Sequence, residues 1–382
     1  MNFLEQLKAP QRQLTPTATV VRQRNGEIIV ERADLLTDQQ QQERRTTAEH
    51  AAMSSSEQVK IAATDRGHLT SYSIATQSWQ TCSNGNDVSN NETPTTSPPL
   101  AEITSTTELT LLTLNVWFAQ YKWEQRQDGI LRQLFSSSAA TPTPTPPPDI
   151  VLLQEVTVDF LQRMQKDPRV QQTYRMTDRG HGSSFLGGYG NIILIKRCLP
   201  LPLVHFVKFP GAMGRRGLYV QWSNVVVSTI HLESLSNMSL RQSQLHSLCT
   251  ALAGCEHVVI AGDCNVAESG QYGNEEENIQ FQCLCEKYEL VDVAKNLGPT
   301  YNTKKNVMVQ RVTGQPEDIA RYDRILSRGM LCESVALVGT EMLAAVEKGV
   351  VKEEQVDQKM EGEAEDALWM SDHFGLSWKM TV

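Results

Sequence analysis

Polar and ionisable side chains follow short apolar runs at several points in the second part of this sequence. The clearest case is "HVVIAGDCN", in which an apolar run ends at Asp263 and Asn265. The same pattern recurs at Asn115, Glu155, His231 with Ser234, Asp323, and Asp372 with His373. Because strand ends at one edge of packed sheets lie close together, we expect these side chains to form one site.

The side-chain types in this set suit the hydrolysis of a phosphate ester with Mg²⁺ as cofactor and Mn²⁺ as a substitute. Mg²⁺ prefers hard oxygen ligands and usually takes one or two carboxylates while it keeps several waters. We therefore predict Glu155 as the main metal ligand, with Asn115 and Asp372 beside it. One metal ion and two metal ions would use nearly the same ligands, so their number stays open.

The other polar groups of the set fit the handling of water and phosphate. Asp263 is predicted to orient and deprotonate the attacking water, and the Asn265 amide to bind the phosphate or hold that carboxylate. His231 and His373 are predicted to donate hydrogen bonds to phosphate oxygens as negative charge develops. Asp323 beside His373 would fix the tautomer of that ring and favour its charged form.

Each of these residues also has a structural interpretation when it is taken alone. Asn115 suits a turn, Glu155 suits the start of the helix that follows it, and His231 suits a hydrogen-bonded place in the core. The succession of strand ends that carry metal- and phosphate-suited groups favours a site over a series of separate accidents.

Composition sets broad limits on the class of protein. The chain has 382 residues, 40% of them apolar, which is enough for one large core, and it contains no apolar run long enough to cross a membrane. We expect no secretory signal, because the first residues lack its pattern. The eight cysteines form no CxxC pair, which argues against a zinc site or a disulfide framework and favours reduced thiols.

The net charge of −9 is concentrated in two segments. Residues 1–107 carry a net −3 and residues 341–366 a net −6, so the rest of the chain is neutral. A neutral domain can still hold a local basic groove. Charge therefore neither supports nor excludes a partner that bears phosphate.

Short apolar runs separated by turns and amphipathic stretches begin near residue 108. They predict ten strands, together with helical periods at 124–135, 158–165, 239–252 and 277–288. Some strands read as hairpins and others are followed by helices. This mixture predicts an α/β fold, a four-layered α/β/β/α sandwich of two packed mixed sheets with outer helices.

The sequence predicts two regions. Residues 1–107 are rich in Gln, Ser, Thr and Asn and are expected to form a largely disordered arm with a hairpin at 17–36, which would dock on the main domain or bind a protein partner. Residues 108–382 are expected to form the catalytic domain. Low-complexity insertions interrupt it at 136–148 and 341–366.

Five short motifs occur in the order typical of a known superfamily: Asn115, Gln154-Glu155, His231-Leu232, Gly262-Asp263-Cys264-Asn265 and Ser371-Asp372-His373. Over about residues 108–382 the chain resembles the endonuclease/exonuclease/phosphatase superfamily, which has the fold of deoxyribonuclease I. The resemblance implies a catalytic core of Asn115, Glu155, Asp263 and His373. It implies supporting roles for His231, Ser234, Asn265 and Asp372.

Several segments are further similar to the tyrosyl-DNA phosphodiesterase branch of that superfamily. They are "NVWF", "GYGNIILIKR", "KFPGAMGRRGL", "HLES", "RYDRILSR" and "SDHFGL". This resemblance implies a Mg²⁺-dependent enzyme of DNA repair that hydrolyses 5′-phosphotyrosyl bonds between DNA ends and trapped topoisomerase. It implies single-stranded DNA 5′ ends as the partner, Tyr189 near the DNA groove, and residence in the nucleus, with the cytoplasm as a second location.

The sequence departs from that branch where it would contact substrate. Trp117 stands where many members have an acidic or small residue, and no basic residue follows Ser234 or Asn265. Arg215 and Arg216 would supply the missing cationic contacts, with an ordinary solvated pair as the alternative. Candidates for base stacking, with core packing as the alternative, are Trp117, Tyr121, Trp123 and Tyr189.

Two alternatives to this function stay open. The same residues would serve a deadenylase, an abasic-site endonuclease, or an inositol-phosphate or lipid phosphatase, since shared catalytic residues do not fix the substrate. A non-catalytic scaffold of the same fold would bind partners through its arm and its acidic insertion. The scaffold predicts loss of the polar set, and that set is complete here.

Overall fold

The computed structural model describes residues 64–82, 102–103, 107–135, 146–177, 188–343 and 367–382, with the backbone of 21–24 and 27–30. The chain divides into two compact units, Met1–His50 and Ala51–Val382. Most of the predicted arm lies outside the described residues, and so do the predicted insertions except for residues 146–148 and 341–343.

Nineteen strands occur in the described residues. In chain order they are β1 (Val21–Arg24), β2 (Glu27–Val30), β3 (Thr64–Arg66), β4 (Thr70–Ser73), β5 (Ser78–Thr81), β6 (Glu108–Asn115), β7 (Ile150–Thr157), β8 (Tyr174–Met176), β9 (Tyr189–Lys196), β10 (Leu203–Lys208), β11 (Arg216–Gln221), β12 (Val225–His231), β13 (His257–Asp263), β14 (Val291–Asp292), β15 (Tyr301–Asn302), β16 (Ile319–Ala320), β17 (Asp323–Arg328), β18 (Leu331–Val338) and β19 (Gly375–Thr381).

Six helices accompany them in the described part of the chain. They are α1 (Trp123–Phe135), α2 (Val158–Lys166), α3 (Pro168–Thr173), α4 (Met238–Ala251), α5 (Glu275–Lys287) and α6 (Val307–Thr313). The four helices predicted from periodicity are α1, α2, α4 and α5, with ends within two residues of the predicted ones. The helices α3 and α6 are too short to show a period. Within these described residues, no helix has the length and apolar character needed to span a membrane.

Fifteen strands form two large mixed sheets. Sheet 1 has the order β14-β17-β13-β12-β11-β10-β3, and sheet 2 has the order β18-β19-β6-β7-β9-β8-β4-β5. Each sheet contains one parallel pair joined through a helix, β12–α4–β13 in sheet 1 and β6–α1–β7 in sheet 2. Ligand sites of such units lie at the carboxyl ends of the parallel strands.

The two sheets pack face to face around one apolar core, in which Trp222 and Trp378 are fully buried. Helices α1 to α3 cover the outer face of sheet 2, and α4 and α5 cover that of sheet 1. Central strands such as β7 are apolar on both faces because a sheet lies on one side and a helix on the other. The predicted four-layered α/β/β/α sandwich is confirmed.

Chain that precedes the predicted boundary contributes to both sheets. The strand β3 pairs with β10 at one edge of sheet 1, while β4 and β5 extend sheet 2 beyond β8. Between β3 and β4, Leu69 enters the core between the sheets. The structure therefore corrects the boundary at residue 108, because residues 64–82 belong to the sandwich. Their strands are short and polar and are held by backbone pairing, so no apolar period reveals them.

The first unit contains the hairpin expected at 17–36. The strands β1 and β2 pair antiparallel on either side of Asn25-Gly26, from Val21 opposite Val30 to Arg24 opposite Glu27. A two-stranded hairpin is marginal alone in water. Docking of this hairpin or binding of a partner by it stays a prediction.

Candidate active site

The ends of β6 and β7 form the sheet 2 side of the site. Asn115 donates from Nδ2 to Asp263 Oδ2 (3.1 Å) and accepts at Oδ1 from the Trp117 backbone N (3.0 Å). Glu155 lies at an irregularity in the pairing of β7 with β9, with φ at 59° in the left-handed region. Its Oε2 accepts from the Phe118 backbone N (2.9 Å). The bulge thus aims the Glu155 carboxylate at the turn that follows Asn115.

Glu155 and Asp372 form the part of the site suited to a metal ion. Burial and the charge of Asp372 raise the pKa of Glu155 to about 7, and burial also raises the pKa of Asp372. A divalent cation relieves such repulsion between buried carboxylates, and Mg²⁺ needs only one or two of them. The donor set therefore fits Mg²⁺, although the described residues hold no cluster of three or more His, Cys, Asp or Glu arranged around a metal position.

The parallel pair of sheet 1 ends at His231 and Asp263, which are partners in register. His231 Nε2 lies 3.5 Å from Asp263 Oδ2, and Asp263 Oδ1 accepts from the Asn265 backbone N (2.8 Å). Burial raises the pKa of Asp263. A buried carboxylate that two asparagines hold and an imidazole faces is suited to accept a proton from water.

His373 reaches the same carboxylate from the last segment of the chain. Its Nε2 lies 3.9 Å from Asp263 Oδ2, and its Nδ1 lies 2.7 Å from Asp323 Oδ2. Burial lowers the pKa of His373, but the charges of Asp323, Asp372 and Asp263 outweigh it and raise that pKa well above its usual value. These carboxylates therefore favour the imidazolium form of His373.

Arg215 contacts the imidazole ring of His231. Its Nη1 is 2.6 Å from His231 Nδ1, and its Nη2 donates to Ser234 Oγ (3.0 Å). The Arg215 Cζ atom lies 5.3 Å from the centroid of the Tyr189 ring, which stacks on Phe118 with a centroid distance of 4.8 Å. Arg215, Tyr189 and Phe118 form what we call the aromatic wall of the site.

Two other predicted residues lie beside this centre. Asn265 has a left-handed backbone with φ at 51°, and its Nδ2 donates to the Leu232 carbonyl (3.0 Å). Its side chain therefore holds the end of β12, while its backbone holds Asp263. Arg216 is half-buried and lines the same recess as Tyr189, Arg215 and His231.

Arg126 supports the turn after Asn115, a role that the sequence analysis missed. Its guanidinium donates to the backbone carbonyls of Val116, Trp117, Ala119, Tyr121 and Met370. It also lies 4.7 Å from the Trp117 ring, which is buried in an apolar cluster with Trp369 and Phe374. The structure therefore corrects the predicted role of Trp117 in base stacking, because its ring belongs to the core. Nothing in the sequence separates Arg126 from the solvated charges of α1.

Gln154 joins the two sheets beneath the site. Its Nε2 donates to Thr229 Oγ1 (2.8 Å) in sheet 1 and to Thr113 Oγ1 (3.1 Å) in sheet 2. The sequence marks Gln154 only as the neighbour of Glu155. These two hydrogen bonds fix the distance between the strand ends of sheet 1 and those of sheet 2.

Backbone strain is concentrated at the same edge. Non-glycine residues with positive φ include Trp117, Glu155, Leu235 and Asn265. Such conformations cost free energy and persist only where the surrounding structure enforces them, most often at functional sites. These strained positions lie in the turns after β6, β12 and β13 and in the bulge within β7, all at the edge that carries the candidate site.

The sandwich, the two parallel strand pairs and the residues at their ends define a class of protein. The sequence profile of the Endonuclease/Exonuclease/phosphatase family matches residues 112–373. The chain belongs to that family, whose members are hydrolases acting on phosphoester bonds.

Several solved structures share this fold. The structure of D. rerio TDP2 with single-stranded DNA product is 21% identical, aligns over 72% of this chain and 100% of that chain, and has a TM-score of 0.52. A humanized D. rerio TDP2 with 14 mutations is 21% identical over 73% of this chain and 100% of that chain, with a TM-score of 0.51. TDP2 from C. elegans is 18% identical over 72% and 75%, with a TM-score of 0.50. A search of curated protein sequences finds no match.

Proposed function

We propose that this protein is a Mg²⁺-dependent phosphodiesterase that hydrolyses 5′-phosphotyrosyl bonds between DNA ends and trapped topoisomerase. The aromatic wall carries the proposal, because it sets stacked rings and a guanidinium beside a hydrolytic centre. A substrate with a phosphate between a base and a tyrosyl ring offers partners for both. The D. rerio TDP2 structure with single-stranded DNA product, which has the same fold, supports DNA as the substrate.

Asp263 is the general base of the proposed reaction. Its Oδ2 faces the Nε2 atoms of His231 and His373, so water held by Asp263 lies next to a phosphate that those two rings bind. The water oxygen bonds to phosphorus and its proton passes to Asp263. The bond from phosphorus to the tyrosyl oxygen breaks, which leaves a DNA 5′-phosphate and a tyrosine phenolate. The phenolate is a good leaving group, since the phenol has a pKa of about 10.

Positive charge around the phosphate lowers the barrier in this proposal. The His373 imidazolium and the Arg215 guanidinium offset the charge that develops on the phosphate oxygens. Mg²⁺, or Mn²⁺ in its place, would be held by Glu155 and Asp372 with Asn115 beside them and would act as a Lewis acid. A reaction of this kind would serve DNA repair, and we propose the nucleus as the location of the enzyme, with the cytoplasm as a second location.

The test uses a short single-stranded oligonucleotide that bears a 5′-phosphotyrosyl group. We expect a 5′-phosphate end to appear with Mg²⁺ and to be lost with EDTA or in Asp263→Asn. The matched control is Asp159→Asn, an exposed carboxylate of α2. Turnover of an abasic duplex, poly(A) or an inositol phosphate in place of the tyrosyl oligonucleotide would keep the chemistry and reject the substrate. No turnover of any of them would favour a scaffold.

A further inference from the structure

The His231 ring has a guanidinium as the partner of its Nδ1 atom. Arg215 Nη1 lies 2.6 Å from His231 Nδ1, and both side chains are buried. A guanidinium in a protein offers N–H donors and no acceptor. His231 Nδ1 is therefore the acceptor of this hydrogen bond and carries no hydrogen.

The hydrogen of the ring then resides on Nε2. This atom lies 3.5 Å from Asp263 Oδ2 and 3.8 Å from Glu155 Oε1, so its N–H is directed into the catalytic centre. A ring that accepts at Nδ1 and carries its hydrogen on Nε2 is neutral, so the contact with Arg215 by itself defines this form of His231.

We propose that Arg215 is a positioning residue that holds His231 as the neutral Nε2–H tautomer, so that the ring offers the phosphate a hydrogen-bond donor. The identity of that phosphate ester rests on the function proposed above, whereas the tautomer rests on the contact with Arg215. Arg215 thus acts through His231, in addition to the charge that it brings to the site.

Neutral groups hold Arg215 in turn. Ser234 Oγ accepts from Nη2 at 3.0 Å, Met213 Sδ lies 3.8 Å from Nη2, and the Tyr189 ring lies beneath the guanidinium. Among the described residues no carboxylate forms an ion pair with Arg215, although its charge acts on Glu155 nearby. No basic residue follows Ser234 in the sequence. Arg215, which lies just before β11, provides a basic side chain beside that serine instead.

The tautomer is measured directly by ¹⁵N NMR of the imidazole rings in protein labelled at histidine. The His231 signals are assigned by their loss in His231→Gln. At about pH 7 we expect the wild-type ring to have a protonated Nε2 and an unprotonated Nδ1. A wild-type ring with hydrogen on Nδ1 would overturn the proposal without any further variant.

Substitution of Arg215 then tests the cause. In Arg215→Met we expect hydrogen to appear on Nδ1, and in Arg215→Lys, which keeps a donor, we expect the wild-type pattern. We expect kcat to fall roughly 100-fold in Arg215→Met and to recover in part in Arg215→Lys. An unchanged His231 pattern in folded Arg215→Met protein would contradict the proposed role.

Arg175→Met serves as the matched control. Arg175 lies in β8, a strand that carries no residue of the site. Its guanidinium is half-buried and donates to the Leu199 carbonyl (2.8 Å). Its loss should leave the His231 signals and kcat unchanged. The NMR measurement needs no turnover. If the protein cleaves no phosphotyrosyl DNA, the proposed function is rejected, and the NMR spectra of the same protein still test the role of Arg215.

Discussion

His231 and His373 face the same carboxylate, Asp263, but opposite kinds of partner hold them. The Nδ1 atom of His373 lies 2.7 Å from Asp323, which accepts, and that of His231 lies 2.6 Å from Arg215, which donates. Burial lowers the pKa of both rings, so the difference between their pKa values comes from the charges around them, among which Asp323 for His373 and Arg215 for His231 have the largest effect. The partner of Nδ1 thus determines the form in which each ring presents Nε2 to the site. His373 presents a charged imidazolium, and His231 presents a neutral N–H donor.

The difference protects the base between the two rings. Burial raises the pKa of Asp263, and the charge of His373 opposes that rise. A second imidazolium at His231 would lower the basicity of Asp263 further and would weaken it as a proton acceptor. In the proposed reaction, one charged and one neutral ring would therefore bind the phosphate and leave Asp263 basic enough to accept a proton.

Replacement of each ring in turn should give the largest contrast. We expect kcat to fall roughly 1,000-fold in His373→Gln and roughly 100-fold in His231→Gln, because glutamine replaces a neutral donor better than it replaces a cation. Single-turnover rates at saturating metal measure both losses. Equal losses of kcat would contradict the assignment of a charged ring at His373 and a neutral donor at His231.

Removal of the acceptor behind His373 should change the pH dependence. In Asp323→Asn the pKa of His373 falls, so its charged form is lost at lower pH than in the wild type. We expect a loss of kcat of roughly 10-fold or more above about pH 7 and a smaller loss at about pH 6, since one unit of pKa corresponds to a factor of ten. Profiles of kcat against pH that run parallel for the two proteins would count against the imidazolium.

A smaller effect is expected on the donor side of the comparison. Ser234→Ala removes the hydroxyl that accepts from Arg215 Nη2 at 3.0 Å. A hydrogen bond of this kind contributes about 1 kcal/mol, so kcat should fall roughly 5-fold. Ser234→Thr, which keeps the hydroxyl, is the control. If the alanine and threonine variants match each other, the hydroxyl has no part in holding Arg215.

The two rings should also affect stability with opposite pH dependence. His231, with a lowered pKa in the folded state, destabilises the fold as pH drops below about 6.5, its unfolded pKa. His373, with a raised pKa, contributes stability that is complete below about pH 6.5 and is lost as pH rises through its folded pKa. We expect His231→Gln to flatten the acid side of a plot of Tm against pH and His373→Gln to flatten the alkaline side. Curves that keep the wild-type shape would contradict these assignments.

The sequence points to the candidate catalytic residues more clearly than to the groups that orient them. Asp263 and His231 stand out because long apolar strands end at them, and strand ends are visible in a linear sequence. The contact between Arg215 and His231 depends on two strands that pair only in the folded protein, so it has no local signal. Arg126 gives no signal for a different reason, because most of its partners are backbone carbonyls of a nearby turn and every residue type has a backbone carbonyl.

The bulge at Glu155 shows another limit of the sequence. A left-handed backbone at a non-glycine residue is unfavourable, and propensity argues against it at this position. The surrounding pairing of β7 with β9 enforces it, and pairing is a long-range property. The ring of Trp117, expected at the substrate, enters the core because Met308, Trp369 and Phe374 pack in the same apolar cluster, and these residues lie far from Trp117 in the sequence.

Residues 64–82 have a consequence for the order of folding during synthesis. The strand β4 pairs with β8, and Thr70 Oγ1 donates to the Met176 carbonyl, 106 residues later in the chain. The strand β3 pairs with β10, which is synthesised later still. This segment leaves the ribosome before its partners exist, and until it pairs with them the longer strand β10 and the strand β8 are exposed as sheet edges. Open edges favour aggregation. We therefore expect substitutions in this segment to reduce the yield of soluble protein before they affect the chemistry of the site.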